Sequence, residues 1–596
     1  METRSLSYLA VASLMIAVWS GDVASAQSVS QRPRVLLPGE KGLLEQGKFK
    51  STDIWDDDDF KEKEKKDKDK KGVTGLIAEP QPTSGGVLRT FNSLDSGARI
   101  GSQPPTADAD VKGMWSELGA WPFIALHANV LPNGRVLTYG TPVGSGDLTV
   151  PVYDEWDPAQ GFSAGSHRLI QNTTGGNGGD YADSFCSISK LMSNGVLLIV
   201  GGNSADDTSY WDTNTATFGV APTPLTYPRW YASVVRLADG RVVTVGGEVP
   251  GYEDAHLTPD DNSQISITPE IYTEGVGWSV LAGGTSASAY GARDNRWWYP
   301  KAYLMPNGNV FGISHDVLWT LNPVGTGSTR VVGRLSTSNK GISATSVMYD
   351  KGKILIAGGG QRVGTDITLG SRVATTIDIN EATPVIRRTG DMRVGRNWAT
   401  AAVLPDGKVL LLGGSRRGNQ GGNDGIKSGE IWNPATGVWT LTAQASENRL
   451  YHSTAALLPD GSVLTAGDGP EDDVTSGQVF YPPYLFTRSS TGAVSWATRP
   501  NILSASTTPG YGRSVIYKAP VGQTIASVSA ISLAAVTHSH NSDQRRVPLQ
   551  FSQTQQDVRV VYPTQAALLP PGYYQLHLVN TAGVPSIGSI IEIKRP

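Results

Sequence analysis

RLYHSTAALLPDGSVLTAGDG, residues 449–469, consists of a polar lead-in, an apolar run, a turn at Asp460-Gly461 and a second apolar run. That is the pattern of two β-strands joined by a tight turn. Tyr451 and His452, both metal-ligand types, stand side by side at its mouth. The frame recurs as DSFCSISKLMSNGVLLIVGG (183–202), PRWYASVVRLADGRVVTVGG (228–247), NRWWYPKAYLMPNGNVFGIS (295–314), GISATSVMYDKGKILIAGGG (341–360) and GRNWATAAVLPDGKVLLLGG (395–414). Anchored on the turn glycines Gly134, Gly195, Gly240, Gly308, Gly352, Gly407 and Gly461, the residue nine places earlier is Ala125, Cys186, Tyr231, Tyr299, Ser343, Trp398 and His452. Seven repeats share one slot.

The turn glycines lie about 45 to 70 residues apart, the spacing of kelch-type propeller blades with four strands each. Blades circle a channel, so equivalent positions on their innermost strands converge near one face. The fold expected is all-β: a seven-bladed kelch-type β-propeller over residues 111–490, then an immunoglobulin-like β-sandwich over 491–596 made of short alternating strands such as SVIYKAPV and YYQLHLVN. The 69 glycines of this 596-residue chain, roughly twice the usual share, fit that reading. Within the second domain, VTHSHNSDQRR (536–546) carries two histidines, His538 and His540, which would point the same way on a strand.

Residues 1–26 combine Arg4, an apolar run from Leu6 to Trp19 and Ala24-Ser25-Ala26, a secretory signal peptide cut before Gln27. The run is short for a transmembrane span. Residues 27–110 read as a disordered or extended charged tail, with DDDDFKEKEKKDKDKK at 56–71 too polar for a core. A net charge of −4 with no basic patch among the repeats gives no reason to expect nucleic acid. A secreted protein with one cysteine has no internal disulfide, so Cys186, sitting in the repeated slot, asks for another role.

Tyrosines, histidines and a cysteine, with no carboxylate in the slot, make a poor hard-cation or zinc site. Imidazole nitrogen and phenolate oxygen suit a tetragonal Cu(II), and the slots offer no methionine for a blue-copper centre.

FCSIS, RWYASVVRLADGRVVTVGG, YHSTAALLPDGSVLTAGDG and THSHNSDQRRVPL, in this order, resemble the copper radical oxidases, which include galactose oxidase and glyoxal oxidase. The resemblance covers residues 115–596 and lies closer to the glyoxal oxidase branch. It implies one copper ion held by Tyr231, His452 and His538, with Tyr451 axial, and a thioether joining Cys186 to the ring of Tyr231. His538 would rise from the carboxy-terminal domain through the channel, with His540 its nearest competitor. The implied reaction is a two-electron oxidation shared between Cu(II) and a radical on the Tyr231–Cys186 unit. Tyr451 would take the substrate's hydroxyl proton, and O2 would leave as hydrogen peroxide.

Two departures bear on the substrate. The tryptophan that covers the radical in galactose oxidase follows the Gly-Gly of the tyrosine's blade, where this chain reads Gly246-Gly247-Glu248-Val249-Pro250-Gly251-Tyr252. Trp297, Trp298 or Trp398 would have to cover it from another blade, and Trp298, beside the slot at Tyr299, is favoured. No counterpart of the sugar-binding arginine is found. The expected substrates are therefore small aldehydes, oxidised as hydrates, or primary alcohols at glycan ends, acted on by a monomer. Two other readings compete: a non-catalytic secreted propeller binding glycan or protein, which needs no convergence of Tyr451, His452 and His538, and a glycoside-cleaving propeller, which needs paired carboxylates or a tyrosine nucleophile.

Overall fold

A computed structural model describes residues 103–141, 152–171, 182–250, 260–363, 367–381, 383–467, 474–504 and 509–596. The expected leader, residues 1–26, and the charged run at 56–71 lie outside the described residues. What is described is almost entirely β-structure, with α-helix confined to the short turns Ala109–Lys112 and Ala287–Tyr290.

Five four-stranded sheets follow one another between Ile188 and Gln444. Each begins with a strand that opens a repeat, such as Ile188–Leu191, Ser233–Arg236 or Thr400–Val403. The next strand returns across the turn glycine: Ser233 pairs with Val245 and Arg236 with Val242 across Gly240. Many of these strands are buried along their whole length, as in Val409–Leu412, because neighbouring sheets cover both faces. They therefore read as continuous apolar runs rather than alternating ones.

Two further sheets join distant parts of the chain. In one, Val463–Ala466 and Ser476–Tyr481 are extended by Met114–Trp115, with Met114 opposite Tyr481. In the other, the four strands from Ile124–Val130 to His167–Gln171 accept Ala535–Thr537 and His540–Asn541 from the far end of the chain, with His127 opposite Thr537. The end of the sequence thus completes a sheet begun near its start.

The glycine pair that closes most of the repeats has a steric reason. A Cβ on Gly201 would lie 2.2 Å from the carbonyl oxygen of Arg229, and one on Gly413 would lie 2.2 Å from that of Arg449. Both glycines also sit at positive φ, where other residues are strained. Beside them runs a buried ion pair that the sequence reading did not single out. Arg229 meets Glu270 at 2.9 Å and Arg396 meets Glu430 at 2.8 Å. In both repeats the arginine stands two residues before the slot and the glutamate lies on the third strand. Each arginine also donates to the carbonyl of the next repeat glycine, Gly246 or Gly413.

The carboxy-terminal unit is a six-stranded arrangement over its own core. Its central strand, Arg546–Thr554, pairs with Ile525–Ser532 as far as Leu549 and with Asp557–Val561 from Gln550 onward. A strand that changes partner midway bends the sheet around an interior, here filled by Tyr517, Val528, Val558 and Leu576.

Candidate metal centre

The slot residues meet through their backbones before their side chains are considered. The amide of Tyr231 donates to the carbonyl of Cys186 at 3.2 Å, that of Tyr299 to Tyr231 at 2.7 Å, and that of Trp398 to Ser343 at 3.0 Å. Adjacent sheets are thus stitched together at the shared position. Cys186, Tyr231, Tyr299 and Trp398 all hold positive φ, between 36° and 60°. Such φ values are uncommon for non-glycine side chains and cluster where structure over-determines the backbone.

The fragment around His452 departs from the other repeats by one residue. Counting back from the turn glycine puts His452 in the slot, whereas counting forward from the buried arginine (Arg449, as Arg229 precedes Tyr231) puts Tyr451 there. The extra residue lets both side chains reach the interior, with ring centroids 4.3 Å apart. The Tyr451 amide is satisfied by Asn419 Oδ1 at 3.0 Å.

His538 arrives from the opposite direction. The expectation that His538 and His540 share a strand and point the same way does not hold. Thr537 pairs with His540, so His538 and Ser539 form the two-residue turn of a hairpin, with φ of 47° and 60°. Positive φ at both central positions is the type I′ pattern, which Asn-Gly usually supplies. The turn aims His538 into the cluster, while His540 is buried one step away, 6.2 Å by ring centroid from Tyr299.

The resulting cluster is closed to solvent: Cys186, Tyr231, Tyr451 and His538 are at most 1% exposed and His452 is 6% exposed. Tyr451 donates to the Tyr231 hydroxyl at 2.8 Å, and Cys186 Sγ lies 3.4 Å from His538 Nε2. Donor atoms of Cys186, His452 and His538 all fall within 4.8 Å of one another. The ring of Trp298 lies parallel to that of Tyr231, with centroids 4.1 Å apart and planes 13° from parallel. Trp398 meets Tyr451 edge-on at 4.5 Å, and Trp297 stands farther from Tyr231, at 6.2 Å.

Two residues around the cluster carry more than the sequence suggested. Tyr299 Oη is 2.9 Å from the carbonyls of Cys186 and Ser187 and 3.3 Å from His538 Nδ1. Thr537 Oγ1 also hydrogen-bonds His538 Nδ1. Together they engage one ring nitrogen and leave Nε2 facing Cys186, the arrangement by which a partner fixes a ligand's tautomer. Tyr299 was visible as a slot residue; nothing in the sequence marked Thr537.

Burial sets the electrostatics. It pulls His452 down to about 3, and it holds His538 well below the usual imidazole range with help from His452, His127 and Lys301. Burial, then Cys186 and Tyr451, pushes the Tyr231 phenol well above its usual range. The histidines are therefore neutral donors, and a cation at their centre would offset the cost of ionising Tyr231. His452 Nε2 is buried with no hydrogen-bond partner. An orphaned imidazole nitrogen among neutral nitrogen, phenol oxygen and sulfur fits a copper ion.

The sequence profile described as "Glyoxal oxidase N-terminus" matches residues 180–487, and that described as "Galactose oxidase-like, Early set domain" matches residues 499–593. A galactose oxidase of Gibberella zeae is 28% identical over 520 residues, covering 82% of this chain and 72% of its own length. An aldehyde oxidase, GLOX, of Vitis pseudoreticulata is 28% identical over 410 residues, covering 61% of this chain and 72% of its own. Among solved structures, a fungal alcohol oxidase of the AA5 family in complex with copper superposes with a TM-score of 0.68 at 23% identity, over 81% of this chain and 99% of that one.

Proposed function

Since this chain belongs to the glyoxal oxidase family of copper radical oxidases, we propose that it oxidises small aldehydes, as hydrates, or primary alcohols, including those at glycan ends, and reduces O2 to hydrogen peroxide. The chain is a copper-dependent oxidoreductase. Tyr231, Tyr451, His452 and His538 are the residues that would hold the metal. When bound, copper supplies a one-electron acceptor and a Lewis acid beside an oxidised tyrosine, so that two electrons can be taken from one substrate.

The remaining chemistry lies in side chains. Tyr451, as phenolate, accepts the substrate's hydroxyl proton, a role that requires hydrogen-bond reach. The Tyr231–Cys186 unit, joined by a thioether and oxidised by one electron, removes the hydrogen atom from the substrate carbon. An aldehyde hydrate and O2 give a carboxylic acid and hydrogen peroxide; an alcohol gives an aldehyde and hydrogen peroxide. Trp298 covers the Tyr231 ring and shields it from solvent. Trp298, Trp398 and Tyr451 give the cluster aromatic walls, which supports a small substrate.

We read the seven sheets as blades of one propeller and the carboxy-terminal unit as an immunoglobulin-like sandwich, in a monomer exported by residues 1–26. The observation that carries the functional reading is the meeting of Tyr451, Tyr231, Cys186 and His538 in one closed cluster. The test is to load the mature protein with copper and measure oxygen uptake and peroxide with glyoxal, methylglyoxal and primary alcohols. One bound copper and peroxide release are expected. A copper-free protein after loading, or silence on every aldehyde and alcohol, overturns it.

A further inference from the structure

Below the copper cluster, the same three chain segments meet again. Lys190 follows Cys186 by four residues, Arg236 follows Tyr231 by five, and Asp543 and Arg545 follow His538 by five and seven. Their side chains converge on a cavity of about 20 Å³ where the carboxy-terminal hairpin enters the ring of sheets, room for one small ion or water. Lys190 and Arg236 both reach the same oxygen of Asp543, at 3.3 and 3.1 Å. Arg545 finds only carbonyls, those of Ala567 at 3.3 Å and Leu304 at 3.2 Å.

All three cations are buried, yet Asp543 is the carboxylate that acts on each of them. The other acidic groups around them, Tyr303, Tyr511 and Tyr574, are phenols kept neutral by burial. Three cations against one carboxylate leave a surplus of two buried positive charges. Arg236 Nε is in addition buried without a hydrogen-bond partner. Buried charge in surplus is costly: burial draws Lys190 down to about 8 and lowers Arg545, whereas at Arg236 burial is outweighed by Asp543 and Tyr574.

We propose that this cavity is a binding site for a small monovalent anion, a halide, held by Lys190, Arg236 and Arg545. The bound ion ties together the strand that follows Cys186, the strand that follows Tyr231 and the segment leading from His538. It acts as an electrostatic rivet beneath the cluster those residues form. The site stands on its own geometry and does not depend on the copper assignment.

The test uses the copper-loaded full chain. Melting is followed against chloride, with ionic strength held constant by gluconate, and crystals are soaked in bromide for an anomalous map. The expected results are a bromide peak between Lys190, Arg236 and Arg545 and an upward Tm shift of about 2–4 °C across a hundredfold range of chloride above Kd. Lys190→Met should flatten that dependence. A map without the peak overturns the proposal, whether or not the variant folds, because the cavity then holds water. A peak with a wild-type Tm indifferent to chloride also overturns it, as an adventitious ion.

Discussion

Cys186 and Tyr231 both occupy left-handed backbone in a closed cluster, a conformation they share with the slot residues Tyr299 and Trp398. In the copper-loaded protein, peptides containing Cys186 and Tyr231 should run as one species two hydrogens lighter than their sum, and Cys186 should resist alkylation after denaturation. A freely alkylated Cys186 in active enzyme would falsify the cross-link. Tyr451→Phe removes the proposed proton acceptor while leaving Tyr231, His452 and His538 in place. Turnover should fall about a hundredfold to ten-thousandfold with copper content retained, as metal analysis and peroxide assays can show. His538→Ala should lose copper and His540→Ala should keep it, because only His538 places a nitrogen near Cys186 Sγ, at 3.4 Å. The reverse result would exchange their roles.

The hairpin that carries His538 was only partly legible. Its histidines were visible in the sequence, but a His-Ser pair gives no hint of a type I′ turn, which normally announces itself as Asn-Gly. Ser539 holds φ of 60°, and its hydroxyl is buried without a hydrogen-bond partner. Ser539→Gly removes both penalties and should stabilise the protein by roughly 0.5–1 kcal/mol, seen as a raised denaturation midpoint with copper still bound. An unchanged or lowered midpoint would mean that the surrounding sheet tolerates the serine without cost. The repeats themselves were readable because each turn needs a glycine at a fixed distance from the slot. The Arg229–Glu270 and Arg396–Glu430 pairs were not, since each arginine precedes the first strand of its sheet and its glutamate lies on the third, at variable spacing. The same variability hid that Tyr451, not only His452, answers to Tyr231.

At the scale of the molecule, four imidazoles are buried in the interior: His127, His452, His538 and His540. All four are depressed, with burial the first cause in each. In the unfolded chain a histidine titrates near 6.5. Above that value both states are neutral there and the folded state keeps its full stability. As pH falls below about 6.5, the unfolded chain takes up protons that the folded one refuses, so stability is lost progressively down towards the folded value, about 3 for His452. The Tm of the copper-free protein should therefore decline from about pH 6.5 downward. A Tm flat from pH 7 to 5 would show that these imidazoles protonate without unfolding.

The late hairpin that completes an early sheet also sets a schedule. His538 lies 352 residues beyond Cys186, so a chain emerging from its amino terminus makes Cys186 and Tyr231 long before the last of the proposed ligands exists. If the thioether forms only with the metal in place, Cys186 stays an ordinary thiol until the final domain is finished. On the proposed ligand set, the metal centre can then be completed only after the last domain is made.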